Sequence, residues 1–321
     1  MDNFRPALSR LQRTWGRLLL LLYFTGVLVG LAQVLSRKSS EGFFGMNKSQ
    51  AGESVIVIVP VSGMITVSEQ GQILGSSSSD RLVRHLKALS EREEVKAVVL
   101  RINSPGGSVG AVQEVYDEVL RLKKAGKKVV VSMGDVAASG GYYIAAPADK
   151  ILADPGTLTG SIGVILQVGN FQELFKKIGV KIEAIKSAEH KDIASPFRTM
   201  TESERKILQS VISDAYGQFV QAVVQGRKLP LEKVLTLADG RIYTGNQARA
   251  QGLIDDLGNL ETAITQAQEI AGIKDKPRVI YDEDPWGRIF TMFSQKSSAK
   301  IWDSTLANLG VHFAYLWQYS Y

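Results

Sequence analysis

Cysteine is absent from the 321 residues, which excludes disulfides, a thiol nucleophile and thiolate-bound zinc. Histidine is almost as scarce. His85, His190 and His312 are the three present, and none has the spacing of a metal site, so neither a metal nor another cofactor is expected. A dominant charge of one sign is also missing. The net charge is +6, the Lys and Arg are scattered, and no RNP, helix-turn-helix or zinc-finger pattern accompanies them, so nucleic acid is not an expected partner. Tandem repeats are lacking. What remains has the balance of a folded chain, 45% hydrophobic and 22% charged, with ample length for one large or two small domains.

Long apolar runs are lacking too, with one exception. Leu18–Leu35 is interrupted only by Thr25 and Gln33, and it matches the roughly 20 residues of a bilayer-spanning helix. Arg5, Arg10, Arg13 and Arg17 precede it against a single acid, Asp2. The positive-inside rule then makes residues 1–17 cytoplasmic and the remainder extracytoplasmic. A cleavable signal peptide is the rival. The length of the run and the lack of a small-x-small site favour an uncleaved anchor in the cytoplasmic (inner) membrane. Residues 36–53 are polar and read as a linker.

Beyond the linker, strands and helices alternate. Apolar β-branched runs at Ser54–Val61, Lys96–Ile102, Val129–Met133, Lys150–Ala153 and Val164–Val168 read as strands. Gly63–Val67 and Ile182–Ile185 read as two more. Helices are expected from Asp80 as N-cap to Ser90, over Val109–Lys124, from Tyr142, over Phe171–Ile178, and from a Thr201/Glu204 capping box to Gln225. Pro230–Leu237, Gly245–Gln251 and Leu260–Ile270 read as shorter helices. This spacing is that of βαβ units and an α/β fold with a mostly parallel sheet.

Chemistry concentrates at two strand ends. Asp135-Val-Ala-Ala-Ser-Gly-Gly-Tyr-Tyr-Ile144 follows one strand and places Ser139 where the chain turns into a helix beside unpaired backbone N–H groups. A nucleophilic serine is well placed there, although the same small residues equally suit a helix that packs closely on its neighbours. Asn103-Ser-Pro-Gly-Gly107 ends another strand. Its glycines free the backbone to present an N–H to an oxyanion, or merely make a sharp turn. A serine nucleophile needs a base, and His190 and Lys191 compete for that part.

These two motifs are followed in order by Leu158-Thr-Gly-Ser-Ile-Gly-Val164, His190-Lys-Asp-Ile-Ala-Ser-Pro196 and Ala238-Asp-Gly-Arg-Ile-Tyr-Thr-Gly245. Together they resemble the signal peptide peptidase A family of bacterial and archaeal membrane-bound serine proteases, over about residues 54–272. Asn103-Ser-Pro-Gly-Gly107 alone also resembles the caseinolytic protease ClpP. The resemblance implies a ClpP/crotonase-type superhelix of ββα units, with Ser139 as nucleophile and Lys191 as general base. It also implies that Ser161 orients the lysine and that Gly107 and Gly140 line the oxyanion region. Such enzymes degrade signal peptides left in the membrane. The single copy of the domain resembles the family's short form, which implies a bowl-shaped homo-octameric ring with Ser and Lys of one site drawn from adjacent protomers.

Residues 273–321 form a tail. From about Asp282 it gathers Trp286, Phe290, Phe293, Trp302, Phe313, Tyr315, Trp317, Tyr319 and Tyr321. Packing on its own domain, cover for the bowl mouth, contact with the membrane interface and self-inhibition in the substrate groove are the roles open to it. Three other functions are carried forward: a catalytically silent membrane ring scaffold, an acyl-CoA enzyme of the crotonase kind, and an envelope quality-control protease for which signal peptides are incidental.

Overall fold

The computed structural model describes residues 25–26, 54–67, 78–281 and 312–316, with Ser78 and residues 312–316 described by their backbone. The chain divides into two compact units, residues 1–52 and 53–321. Apart from the helical pair Thr25 and Gly26, the expected anchor at 18–35 lies outside the described residues, as do the linker and most of the tail. Among the described residues no helix is long and apolar enough to cross a membrane.

The strands are β1 (Val55–Ser62), β2 (Val95–Ser104), β3 (Gly106–Ser108), β4 (Lys128–Ala138), β5 (Lys150–Ala153) and β6 (Leu158–Gly160). They continue as β7 (Ile165–Gln167), β8 (Ile242–Thr244), β9 (Asp256–Leu257), β10 (Arg278–Tyr281) and β11 (His312–Leu316). The helices are α1 (Ser78–Glu91), α2 (Val109–Lys124), α3 (Gly140–Ala145), α4 (Gln172–Lys177), α5 (Glu202–Arg227), α6 (Leu231–Leu237), α7 (Gly245–Gln251) and α8 (Leu260–Ile270). The main sheet runs β10-β1-β2-β4-β5-β9, and every neighbouring pair along it is parallel. This is the parallel-rich α/β architecture expected of the ClpP/crotonase type.

The sheet is buried on both faces, as its near-continuous Val and Ile strands require. Side chains alternate across a strand, and β1 divides accordingly. Val55, Val57, Val59 and Val61 enter a large core with Leu86 of α1, Val115 and Val119 of α2, Ile144 of α3 and Phe219 of α5. Ile56 and Ile58 enter a smaller core on the other face, with Val99, Val130 and the α8 residues Ala263 and Ala267. Each fully buried side chain of this size contributes about 1.5–3 kcal/mol.

Several local expectations change. The second strand expected at Gly63–Val67 reduces to a single parallel bridge, Ile65 to Gly107. α1 begins at Ser78, so Asp80 lies in its first turn and is not its N-cap. β4 runs past Met133 to Ala138 and delivers the chain directly to Ser139. Ile182–Ile185 forms no strand, and Ile185 is 103% exposed. It belongs to an arm, residues 163–193, in which no side chain is buried, and among the described residues no strand edge meets that apolar run.

Candidate active site

Ser139 occupies the junction of β4 and α3 at φ 53° and ψ −117°, a conformation that L residues rarely adopt and that persists only where the surroundings enforce it. The enforcement is visible. Ser139 N–H donates to Gly160 O at 2.8 Å, and its carbonyl accepts the first helical bond from Tyr143 at 2.9 Å. Two tyrosines anchor α3 beneath it. Tyr142 Oη donates to Leu253 O at 2.7 Å, and burial pushes its phenol pKa up. Tyr143 Oη donates to Gln113 Oε1 at 2.6 Å, and its ring meets Tyr116 and Phe219 edge-on. Ser139 itself is 1% exposed, and its Oγ is buried with no hydrogen-bond partner among the described residues. A buried hydroxyl left unpaired is rare, because it forfeits its hydration without compensation.

The Asn103–Gly107 turn folds against this elbow. The β2–β4 register shifts between Ile102 and Ser104, and Asn103 Oδ1 fills the gap by accepting Val136 N–H at 3.1 Å. Ser104 Oγ donates to Gly63 O at 2.6 Å and accepts Gly106 N–H at 3.1 Å. Gly106 holds φ 110°, which favours glycine. The two glycine motifs then interlock. A Cβ on Gly107 would stand 1.8 Å from Ile65 O, and one on Gly140 would stand 2.6 Å from Val112 Cγ2 and 3.1 Å from Gly107 N. Glycine at 107 lets the turn lie against the Ile65 backbone, and glycine at 140 lets α3 close on the turn. Gly140 opens α3, so its N–H has no acceptor within the helix. The two candidate oxyanion residues are thus packed together beside Ser139.

Ser161 follows β6, is 7% exposed and also takes a positive φ, 50°. Its N–H donates to Arg241 O at 2.8 Å, and β6 pairs antiparallel with β8. The Ala238–Gly245 motif therefore acts as a buttress for Ser161. Arg241 and Tyr243, whose Oη donates to Leu237 O at 2.9 Å, belong to the support of the site, although sequence reasoning assigned them no part. Their signal was the motif itself, rigid and Gly-bounded between two helices.

Lys191 lies elsewhere, exposed on the 3-10 turn Glu189–Asp192 together with His190. The fold brings Ser139, Gly107 and Gly140 together, but no hydrogen bond within the chain joins Ser139 Oγ to Lys191 or to His190. The lysine turn is nonetheless firmly held. Asp192 accepts from Lys186 Nζ at 2.6 Å and from Arg198 Nε at 2.8 Å. Arg198 Nη1 donates to Glu204 Oε2 at 2.8 Å, and Arg198 Nη2 pairs with the other Glu204 oxygen. Glu204 is 2% exposed and closes the α5 capping box by accepting Thr201 N–H at 2.9 Å. The Arg198 fork holds the Glu204 carboxyl down at about 2. Arg198, with Lys186, holds the Asp192 carboxyl below the usual carboxylate range.

Comparison with known proteins extends this geometry. Residues 121–274 match the model of peptidase family S49, and residues 63–159 match that of Clp protease. A putative protease of Synechocystis is 46% identical over 67% of this chain and 78% of its own length. A protein of Enterococcus faecium named putative signal peptide peptidase SppA is 35% identical over 76% of this chain and 74% of its own. The chloroplastic serine protease SPPA of Arabidopsis thaliana is 34% identical over 69% of this chain and 33% of its own. The S49 match spans the Ser139 elbow, Ser161, the lysine turn and the β8 buttress, and the Clp match spans the glycine turn and the elbow. With the Synechocystis and Enterococcus relatives this similar over about three quarters of their own length, the chain belongs to peptidase family S49, the family of signal peptide peptidase A.

Proposed function

We propose that the chain is a membrane-anchored serine endopeptidase that degrades cleaved signal peptides and other apolar peptides with a Ser139–Lys191 dyad. The observation that carries this is Ser139 Oγ, held at a strained elbow, buried and unpartnered beside the close-packed Gly107 and Gly140 backbones. A neutral Lys191 Nζ takes the Ser139 proton as Oγ bonds to the substrate carbonyl carbon. The Gly107 and Gly140 N–H groups meet the oxyanion. The C–N bond then breaks, the leaving amine takes the proton from Lys191, and an acyl-enzyme remains. Water, deprotonated by Lys191, releases the acid and restores Ser139. Ser161 orients the lysine.

The base comes from an adjacent protomer of a homo-octameric ring. Supporting this are the unpartnered Ser139 Oγ and the unburied arm that carries Lys191, with Leu174, Ile178, Val180, Ile182 and Ile185 exposed. A run of apolar side chains of this extent is a contact surface awaiting a partner. Residues 18–35 anchor the chain, with a cytoplasmic N-terminus and the peptidase domain outside, where signal peptides leave the bilayer.

The test is Lys191→Ala against His190→Ala on a fluorogenic Leu/Ala-rich peptide. Loss of at least about a hundredfold in kcat is expected for the first and near wild-type activity for the second, with wild-type activity rising toward alkaline pH as a lysine base becomes neutral. The reverse pattern would make His190 the base.

A further inference from the structure

Because the neighbouring strands of the main sheet are all parallel, they begin at one edge. Val55, Val95 and Arg278 stand side by side there, and Lys128 and Lys150 open the next two strands. α1, α2 and α8 end at the same edge, since each leads into the start of a strand. The edge is basic, with Lys96, Arg121, Lys124, Lys128, Lys274 and Lys276 exposed on it. Helix C-termini favour cations, and that explains Arg121, Lys123 and Lys124 in the last turn of α2. It does not explain the rest. The last turns of α1 and α8 hold no basic residue, Lys96, Lys128 and Lys150 lie on strands, and Lys274 and Lys276 lie in the connection to β10. Acids are fewer at this edge. Glu94 pairs with Arg92 at 2.8 Å and Asp149 with Lys123 at 3.2 Å, and Glu91, Glu93, Glu269 and Asp275 are the exposed ones. Burial, reinforced by the like charge of Lys96, holds Lys127 below the usual lysine range. At the opposite edge, beside Ser139, Asp135 and Asp154 stand near the strand ends, and Arg101 donates to Ser132 Oγ and Met133 O.

The basic edge is also where the chain enters the domain. Ser54 O accepts Arg278 N–H at 3.1 Å, and Val55 N–H donates to Glu94 O at 2.9 Å. Ser54 directly follows the linker, residues 36–53, and a polar linker of that length reaches on average about 25 Å. We propose that this amino edge of the sheet is a docking surface for anionic phospholipid headgroups, which seats the peptidase domain on the bilayer with the Ser139 edge turned away. This rests on the reading of residues 18–35 as a membrane anchor. Exposed lysines on an anchored domain meet the negative surface potential of anionic lipid at close range, where each adds to the attraction. β4 runs from Lys128 at the docked edge to Ala138, next to Ser139, and a strand of that length spans about 35 Å. A peptide therefore reaches Ser139 only after it has cleared the headgroups, so the orientation selects peptides already released from the bilayer.

The natural chain has no cysteine, so a single one can carry a fluorophore. Ala125→Cys places it in the exposed turn of the basic edge, and Ser62→Cys at the exposed end of β1 on the opposite edge. Each full chain is reconstituted into vesicles of phosphatidylcholine, alone or with about 30% phosphatidylglycerol, that contain a lipid spin-labelled on its headgroup. The Ala125→Cys label should lose most of its fluorescence in the anionic vesicles and little in the neutral ones. It should recover at about 0.5 M salt, where screening shortens the Debye length to about 5 Å. The Ser62→Cys label should stay bright in both. Adding Lys124→Glu, Lys128→Glu and Lys276→Glu together should abolish the quenching, with kcat on the fluorogenic peptide in detergent and the sedimenting size unchanged. Equal quenching of Ala125→Cys in neutral vesicles, quenching that survives the three reversals, or quenching of Ser62→Cys would overturn the proposal and leave the anchor standing. A change in sedimenting size on charge reversal would also overturn it and make the edge a contact between copies. Failure of the folded chain to float with either vesicle would overturn the anchor reading and this proposal with it.

Discussion

Ser139 combines two unfavourable features in one residue, a left-handed backbone and a buried hydroxyl without a partner. Nothing in folding alone calls for either, and both are consistent with a nucleophile kept ready for a base that arrives from outside the chain. Backbone strain of this kind costs about 1–3 kcal/mol, and glycine adopts φ 53° without it. Ser139→Gly should therefore abolish peptidase activity and raise unfolding stability by about 1 kcal/mol, once the extra chain entropy of glycine is subtracted. Urea unfolding followed by circular dichroism measures this. A destabilised Ser139→Gly would mean that the elbow is not strained.

Among the elements, the lysine turn and the start of α5 form one electrostatic unit through Asp192, Arg198 and Glu204. Both carboxyls titrate below their unfolded values of about 4, so their stabilisation is complete above that pH and is lost as pH falls toward the folded values. The arm should resist proteolysis from neutral pH down to about 5 and become cleavable between about 4 and about 2. Arg198→Ala should remove that protection at neutral pH. An arm equally cleavable at pH 7 with and without Arg198 would refute the coupling. Helices and long strands here were legible in the sequence, because hydrophobic period and caps are local. So was the Ser139 elbow, because its glycines are there for backbone reasons. β6 and β8, with three residues each, were not legible, since their pairing joins segments about 80 residues apart and neither shows a period. Ile182–Ile185 looked like a strand because its apolar side chains suit one, yet local pattern does not say whether a strand edge is there to pair with it. The strand at His312–Leu316 was likewise hidden, since its partners lie far back in the sequence.

For the whole molecule, a shared site predicts rescue between two dead variants. Ser139→Ala and Lys191→Ala should each be inactive alone. Refolded together at equal amounts, they should regain about a quarter of wild-type activity, the statistical share of interfaces that pair an intact serine with an intact lysine. No recovery in mixed rings would place both residues of each site in one chain. The architecture also sets an order in time. β1 is the first strand of the domain, yet its outer edge is closed by β10, with Val55 opposite Arg278. Contacts this distant in sequence make folding slow. Until residues 278–281 have been synthesised, the Val and Ile strand that starts the domain waits with one side unsealed, a template for self-association. A chain stopped before Arg278 should accumulate in aggregates, whereas one ending after Tyr281 should fold, as sedimentation of the two products would show. Completion of the domain is thus a late event in the life of each chain, and chaperone demand should peak in the interval between the emergence of its first strand and its last.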